Sequence, residues 1–158
     1  MKNTGTLKVT TRGDREIVLE RVFDAPPELV WEAMTKPELV KKWYGPRGYN
    51  LVVCEIDFRV GGKWRYVLRG PTGKDMGQFG EYLEIDRPAR FVATEGFDDF
   101  PGGLATNTLR FVADGGKTRF SCTVVAPSAE ARDAIIASGM EHGAAETYDR
   151  LNEVLTSR

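Results

Sequence analysis

The sequence predicts an α+β domain in which a curved, seven-stranded antiparallel sheet wraps around one long C-terminal helix. Three observations carry this. Segments rich in β-branched and aromatic residues follow one another from residue 49 to residue 126, the connections between them are short runs of turn residues, and the last block repeats apolar residues at helical spacing.

The elements follow in order. Residues 1–14 carry Gly5, Gly13 and scattered polar side chains and read as a polar leader or edge extension, leaving 15–158 as a single domain. From Arg15 to Phe23 the chain alternates, with Ile17, Leu19 and Phe23 on one face and Glu16 and Glu20 on the other, which is the pattern of a half-buried first strand. Asp24-Ala25-Pro26-Pro27 stops it and opens a short helix with Val30, Trp31 and Met34 as its apolar face. Proline suits a first helical turn because its missing N–H has no partner there. Lys36-Pro37 ends that helix, and Pro37 opens a second one with Leu39, Val40 and Trp43 before Gly45-Pro46.

Six further strands are expected near 49–57, 62–70, 76–86, 89–97, 104–113 and 116–126. They are separated by Gly61-Gly62, Pro71-Thr72-Gly73, Asp86-Arg87-Pro88, Pro101-Gly102-Gly103 and Asp114-Gly115-Gly116. Parallel pairs need long crossovers, so these short turns imply an antiparallel meander. In the last block Ile136, Met140, Ala144, Thr147, Leu151 and Val154 or Leu155 form one stripe. Ser128 suits the N-cap, and Gly139 marks a place where the helix can kink or break.

Composition narrows the function classes. The chain has 158 residues, 41% hydrophobic and 28% charged, with a net charge of -1. That is the profile of one globular domain and supplies no basic excess for nucleic acid or for an anionic membrane surface. No apolar run suggests a signal peptide or a membrane span, and Cys54 and Cys122 read as packed, reduced thiols, so the expected compartment is the cytoplasm.

Strand alternation points Trp64, Tyr66 and Leu68 inward, followed by Asn107, Leu109 and Phe111, then Phe120, Cys122 and Val124. Opposite them the helix places Gly143, Ala144 and Thr147 between Met140 and Leu151, so its face narrows at the centre. Two interiors follow from this pattern: an open pocket under the helix, or a solid core filled by Trp64, Tyr66 and Phe111.

Phe23-Asp24-Ala25-Pro26, then Val30-Trp31 and Trp43-Tyr44-Gly45-Pro46, resemble the opening of the family homologous to the activator of the heat-shock protein 90 ATPase. That family belongs to the START-like, birch-pollen-allergen-like superfamily. Gly61-Gly62, Pro71-Thr72-Gly73, Gly80-x-Tyr82-x-Glu84-Ile85, Thr94-Glu95, Gly139-Met140-x-x-Gly143 and Asp149-Arg150-Leu151 extend the resemblance from about Glu16 to Leu155. It implies a helix-grip fold and, often, a bound apolar or amphipathic molecule. The co-chaperones that name the family carry a further N-terminal domain, for which 158 residues leave no room. An aromatic residue, commonly tryptophan, often follows the glycine matching Gly143; this chain has Ala144, which enlarges or moves the space beneath the helix.

Catalytic chemistry is thinly represented. His142 is the sole histidine and lies off the apolar stripe, at the rim or exposed; no metal-ligand spacing, nucleophile elbow or phosphate loop occurs. No cofactor is expected. Glu81, Glu84, Glu95 and Asp98-Asp99 are candidate cavity acids, or else solvated partners of Arg65, Arg69 and Arg110; Glu84 and Glu95 stand out because they lie in family-like motifs. A carboxyl in an apolar pocket can serve as a general acid or base, and some members of the superfamily are cyclases or dehydratases.

The leading expectation is binding of a small apolar or amphipathic ligand between sheet and helix. Trp64, Tyr66, Leu68, Leu109, Phe111, Phe120, Cys122, Met140, Ala144 and Thr147 would line the site, and Glu95 or Asn107 would fix a polar group. A protein-interaction or chaperone-associated stress factor, as a homodimer or with a chaperone partner, is the alternative. An enzyme using one pocket carboxyl comes third.

Overall fold

The computed structural model describes residues 5–157, so the first four residues of the expected leader lie outside the described residues. The chain runs β1 (Lys8–Arg12), β2 (Glu16–Phe23), α1 (Pro27–Thr35), α2 (Pro37–Val40), β3 (Asn50–Ile56), β4 (Lys63–Arg69), β5 (Asp75–Asp86), β6 (Arg90–Phe97), β7 (Phe100–Asp114), β8 (Lys117–Val125), α3 (Ala129–Ala137) and α4 (Met140–Thr156). One antiparallel sheet takes the order β1-β2-β8-β7-β6-β5-β4-β3. It is the expected α+β meander with two short helices inserted and a C-terminal helix across its inner face, a helix-grip fold.

Three expectations need correction. The sheet has eight strands rather than seven, because Lys8–Arg12 pairs with Glu16–Glu20 and caps the β2 edge. Mostly exposed polar residues can form such a strand because backbone bonding alone holds an edge pair. The stretch Pro101-Gly102-Gly103 belongs to β7, and the turn falls at Asp98–Asp99, where Phe97 pairs with Phe100.

The C-terminal helix is also two helices. Ser128 Oγ accepts from Ala131 N at 3.0 Å and starts α3, but Gly139 at φ 83° breaks the run before α4. Glycine enters that left-handed region without the steric penalty of a Cβ. Ile136 leaves the apolar stripe and is 43% exposed, whereas Ala145, Thr147, Leu151 and Leu155 are the buried face of α4.

Alternation assigns the faces of the sheet. In β4, Trp64, Tyr66 and Leu68 are buried between exposed or half-buried Lys63, Arg65, Val67 and Arg69. In β8, Thr118, Phe120, Cys122 and Val124 are buried. In β2, Ile17, Leu19 and Phe23 point inward as expected, and Arg21 points inward with them, only 9% exposed. Its guanidinium meets Asp149 of α4 and lies 5.3 Å from the Phe23 ring centroid. A buried cation needs such a partner, because leaving it unpaired would forfeit its hydration without return.

Candidate functional site

Side chains from the α2–β3 loop, the middle of the sheet and α4 converge on the inner face. Asn107 of β7 donates from Nδ2 to Glu95 Oε1 of β6 at 2.9 Å. The two lie one step apart diagonally, since Asn107 pairs with Ala93 and Glu95 with Ala105. The oxygen of that amide, Asn107 Oδ1, is buried without a partner. Beside them the Tyr44 hydroxyl donates to Gln78 Oε1 of β5 at 2.6 Å.

Aromatic rings complete the surroundings. Tyr44 stands edge-on to Tyr66 and Tyr66 is tilted against Trp64, each pair with ring centroids 4.8 Å apart. The Trp64 indole crosses over β5 to donate to the Thr94 carbonyl at 3.2 Å. It can do so only because its strand partner is Gly80, where a Cβ would lie 2.5 Å from Trp64 Nε1 and 1.8 Å from that carbonyl oxygen. On the helix side Tyr148 packs on Phe120 at 5.3 Å, and Met140, Ala144 and Tyr148 are half-buried at successive one-turn intervals.

Electrostatics reflect this withdrawal from solvent. Burial pushes the Glu95 carboxyl above its ordinary value, and the hydrogen bond from Asn107 pulls weakly the other way. Desolvation, with the Glu95 charge adding to it, raises the Tyr44, Tyr66 and Tyr148 phenols and the Cys122 thiol. Cys54, opposite Tyr66, is pushed up to about 11 by burial. Glu95, Asn107, Gln78, Tyr44 and Tyr148 nonetheless keep accessible surface, each being neither fully buried nor exposed. Among the described residues no lysine, arginine or histidine forms an ion pair with Glu95, and no group of three donors gathers to hold a metal.

The residues expected to line a pocket divide between two regions. Trp64, Tyr66, Glu95, Asn107 and Cys122 gather around the polar group, with Met140 and Ala144 on the facing helix. Leu68 lies under the loop, where it fills the space beside Gly45. Thr147 turns its hydroxyl back to the Gly143 carbonyl at 2.7 Å. Leu109 is half-buried against the core. Phe111 and Phe120 belong to a packed aromatic cluster centred on Trp31, which meets Phe58, Phe91 and Phe111 edge-on at 5.3 to 5.6 Å.

The other candidate acids lie at the surface or pair there, Asp99 being exposed in the turn. Glu84 meets Arg90 at 2.8 Å, Asp98 meets Arg65 at 2.6 Å and Glu81 faces Lys63 at 3.9 Å. His142 Nε2 lies 3.5 Å from Glu146 on the side of α4, with a fifth of its side chain exposed.

Tyr44, Gln78 and Tyr148 escaped the sequence reading, although each had a signal. Tyr44 sits in Trp43-Tyr44-Gly45-Pro46, Gln78 is two residues from Gly80 on an alternating strand, and Tyr148 follows Ala144 by one helical turn. The structure also accounts for Asp149-Arg150-Leu151. Asp149 pairs with Arg21, Arg150 donates to the Gly45 and Pro46 carbonyls at 2.8 and 3.4 Å, and Leu151 is fully buried. Together they seat α4 on both β2 and the loop that carries Tyr44.

Comparison with known proteins agrees with this architecture. The sequence profile described as activator of Hsp90 ATPase homolog 1-like protein matches residues 24–156. A crystal structure of a protein from Rhodobacter sphaeroides superposes with a TM-score of 0.91 at 30% identity, covering 97% of this chain and 99% of that one. A protein from Mycobacterium smegmatis gives 0.87 at 26% identity, covering 97% and 98%. An HSP90 activator from Plasmodium falciparum gives 0.56 at 24% identity over 70% and 72%, a likeness of fold. No curated protein matches the sequence. The chain belongs to the activator of Hsp90 ATPase homolog 1-like family, within the START-like, helix-grip superfamily.

Proposed function

We propose that this member of the family binds a small amphipathic molecule between the inner face of the sheet and α4, with Glu95 and Asn107 fixing its polar end. The observation that carries this reading is the unpartnered Asn107 Oδ1, held beside the half-buried Glu95 carboxyl, with Tyr44, Tyr66 and Tyr148 close enough to feel that charge. A buried acceptor left unsatisfied costs about 1–3 kcal/mol, a cost that a donor on a ligand removes. Glu95, Asn107, Tyr44 and Tyr148 are half-buried, so their side chains keep surface that a ligand can reach. Ala144, half-buried on the facing helix, leaves room there that a large side chain would take.

The test is native mass spectrometry and thermal unfolding against a panel of lipids, sterols and aromatic metabolites, with Ala144→Trp as the blocked form. A ligand-dependent rise in Tm that grows with concentration and disappears in Ala144→Trp is the expected outcome. Equal stabilisation of the blocked form would exclude this site, and a panel without effect on either protein would count against ligand binding altogether.

A second reading, a chaperone-associated interaction module, draws on the family description and on the outer face of the sheet. There Phe79 and Leu104 meet over Gly96 beside a groove of about 400 Å3, and both remain exposed, at 38% and 47%. Stimulation of heat-shock protein 90 ATPase by the purified chain, abolished by Phe79→Asp with Leu104→Asp, would favour it.

A further inference from the structure

Resting on the ligand-binding reading above, the hydrogen-bond inventory of the site limits what the polar end of the ligand can be. The Asn107 amide has already given a donor to Glu95 Oε1, and its own oxygen is empty. The carboxylate accepts and cannot donate. The Tyr44 hydroxyl is directed to Gln78 rather than to either group. The inner face therefore offers an ordered pair of acceptors, Asn107 Oδ1 and the Glu95 carboxylate, with negative charge that no cation of the protein offsets among the described residues.

We propose that the ligand is an organic cation: a small apolar or aromatic body ending in a primary or secondary ammonium that donates to both Glu95 and Asn107 Oδ1.

Three features select this class. An ammonium carries at least two N–H donors, one for each acceptor, whereas an alcohol supplies a single O–H. Its charge supplies the partner that the buried carboxylate lacks, and charge-assisted hydrogen bonds are about twice as strong as neutral ones. Tyr44 and Tyr66, in contact with each other and close enough to Glu95 to feel its charge, supply aromatic surface of the kind that attracts a desolvated cation. A carboxylate ligand would place like charges together in a dry site and is disfavoured for the same reason. Burial holds the Glu95 proton more firmly in the empty protein, and an incoming ammonium reverses that effect by favouring the ionised form.

Isothermal titration calorimetry on the whole chain at neutral pH tests this with three probes of matched size: phenethylamine, 2-phenylethanol and 3-phenylpropionate. Phenethylamine is expected to bind most tightly and 3-phenylpropionate not at all. Glu95→Gln should weaken phenethylamine by about 10-fold or more, the worth of one charged hydrogen bond, while changing 2-phenylethanol by less than about 3-fold. Asn107→Ala removes the second acceptor and should weaken phenethylamine by about 5-fold; it serves if Glu95→Gln does not fold. Equal or tighter binding of the alcohol or the acid, or an amine affinity indifferent to both substitutions, overturns the assignment. If the panel above yields a neutral ligand excluded by Ala144→Trp while phenethylamine fails, the cationic class falls and ligand binding stands. If nothing binds in either experiment, both fall.

Discussion

At the Trp31 end of the inner face, rings close on one another: Trp31, Phe58, Phe91, Phe111 and Phe120 form a chain of contacts 5.3 to 5.6 Å apart, and Trp31 is wholly buried. At the Glu95 end, rings of similar size surround a carboxyl, two amides and a phenol. The difference is one of polar content and not of aromatic content. Where the inward side chains are mostly aromatic, packing is tight and dispersion accumulates over many contacts, although the Trp31 indole N–H is left without an acceptor. Where Glu95, Asn107 and Gln78 project from three neighbouring strands, each demands a partner, and the available partners do not satisfy them all. Among the described residues each end leaves one buried polar atom unpartnered, Trp31 Nε1 and Asn107 Oδ1, but only the second stands beside a carboxyl and other polar side chains.

Substitutions can break this contrast from both sides. Trp31→Ala at the packed end should cost the most, about 3–5 kcal/mol, read from urea midpoints, because it removes the hub of the ring cluster. A loss below about 1 kcal/mol would mean that this end is as loosely packed as the other. Next comes the clamp on α4. Asp149→Ala leaves Arg21 buried without its ion-pair partner and should cost about 3 kcal/mol, whereas replacing Arg21 and Asp149 together with Met and Leu should restore most of it. A double mutant as unstable as the single one would show that the pair does more than neutralise Arg21.

At the polar end the informative variable is pH. The Glu95 carboxyl has its proton affinity raised by folding, so the native state holds more protons than the unfolded one above its ordinary value of 4.5. The penalty is absent below that value and grows as pH rises through the folded pKa. Asn107, Tyr44, Tyr66, Cys122 and Tyr148 face Glu95 from the elements around it, and none of them is cationic. Glu95→Gln should therefore gain stability relative to wild type as pH rises from 4.5. A difference independent of pH would mean that the carboxyl is solvated. The surface acids Asp24 and Glu153 act with opposite sign, because hydrogen bonds from Asn152 and Arg47 lower their proton affinity and their contribution fades in acid. Comparing the two proteins at each pH cancels them.

The smallest effect belongs to Arg47→Ala. Its pair with Glu153 joins the loop near Tyr44 to α4 at 2.5 Å, yet both side chains are more than half exposed. The loss should stay under about 1 kcal/mol and shrink with salt. A larger, salt-independent loss would mean that the loop closes the polar end as firmly as Trp31 closes the other.

Much of this was legible in advance. Period-two alternation placed Trp64, Tyr66, Asn107 and Phe111 on the inner face, and the turn residues marked most strand ends. The errors have physical sources. Lys8–Arg12 has no apolar face to announce a strand, because an edge pair can rest on backbone bonding. Pro101-Gly102-Gly103 reads as a turn, but a two-residue hairpin at Asp98–Asp99 pulls it into β7. Ile136 fits the helical stripe only if the helix is continuous, and Gly139 breaks it.

What the sequence determined by itself was therefore the local pattern: the strand and helix alternation and the presence of Asn107 among inward aromatics, while Glu95 stood out only through the family resemblance. The alternation and the inward Asn107 follow from periodicity and turn chemistry, which act over a few residues. The meeting of Asn107 with Glu95, of Tyr44 with Gln78, and of Arg21 with Asp149 was decided only by tertiary structure. These partners lie 12, 34 and 128 positions apart, and each contact depends on strand register and helix seating. A one-residue slip in any of the strands involved would turn the polar side chain to the outer face, so no local pattern can specify the site.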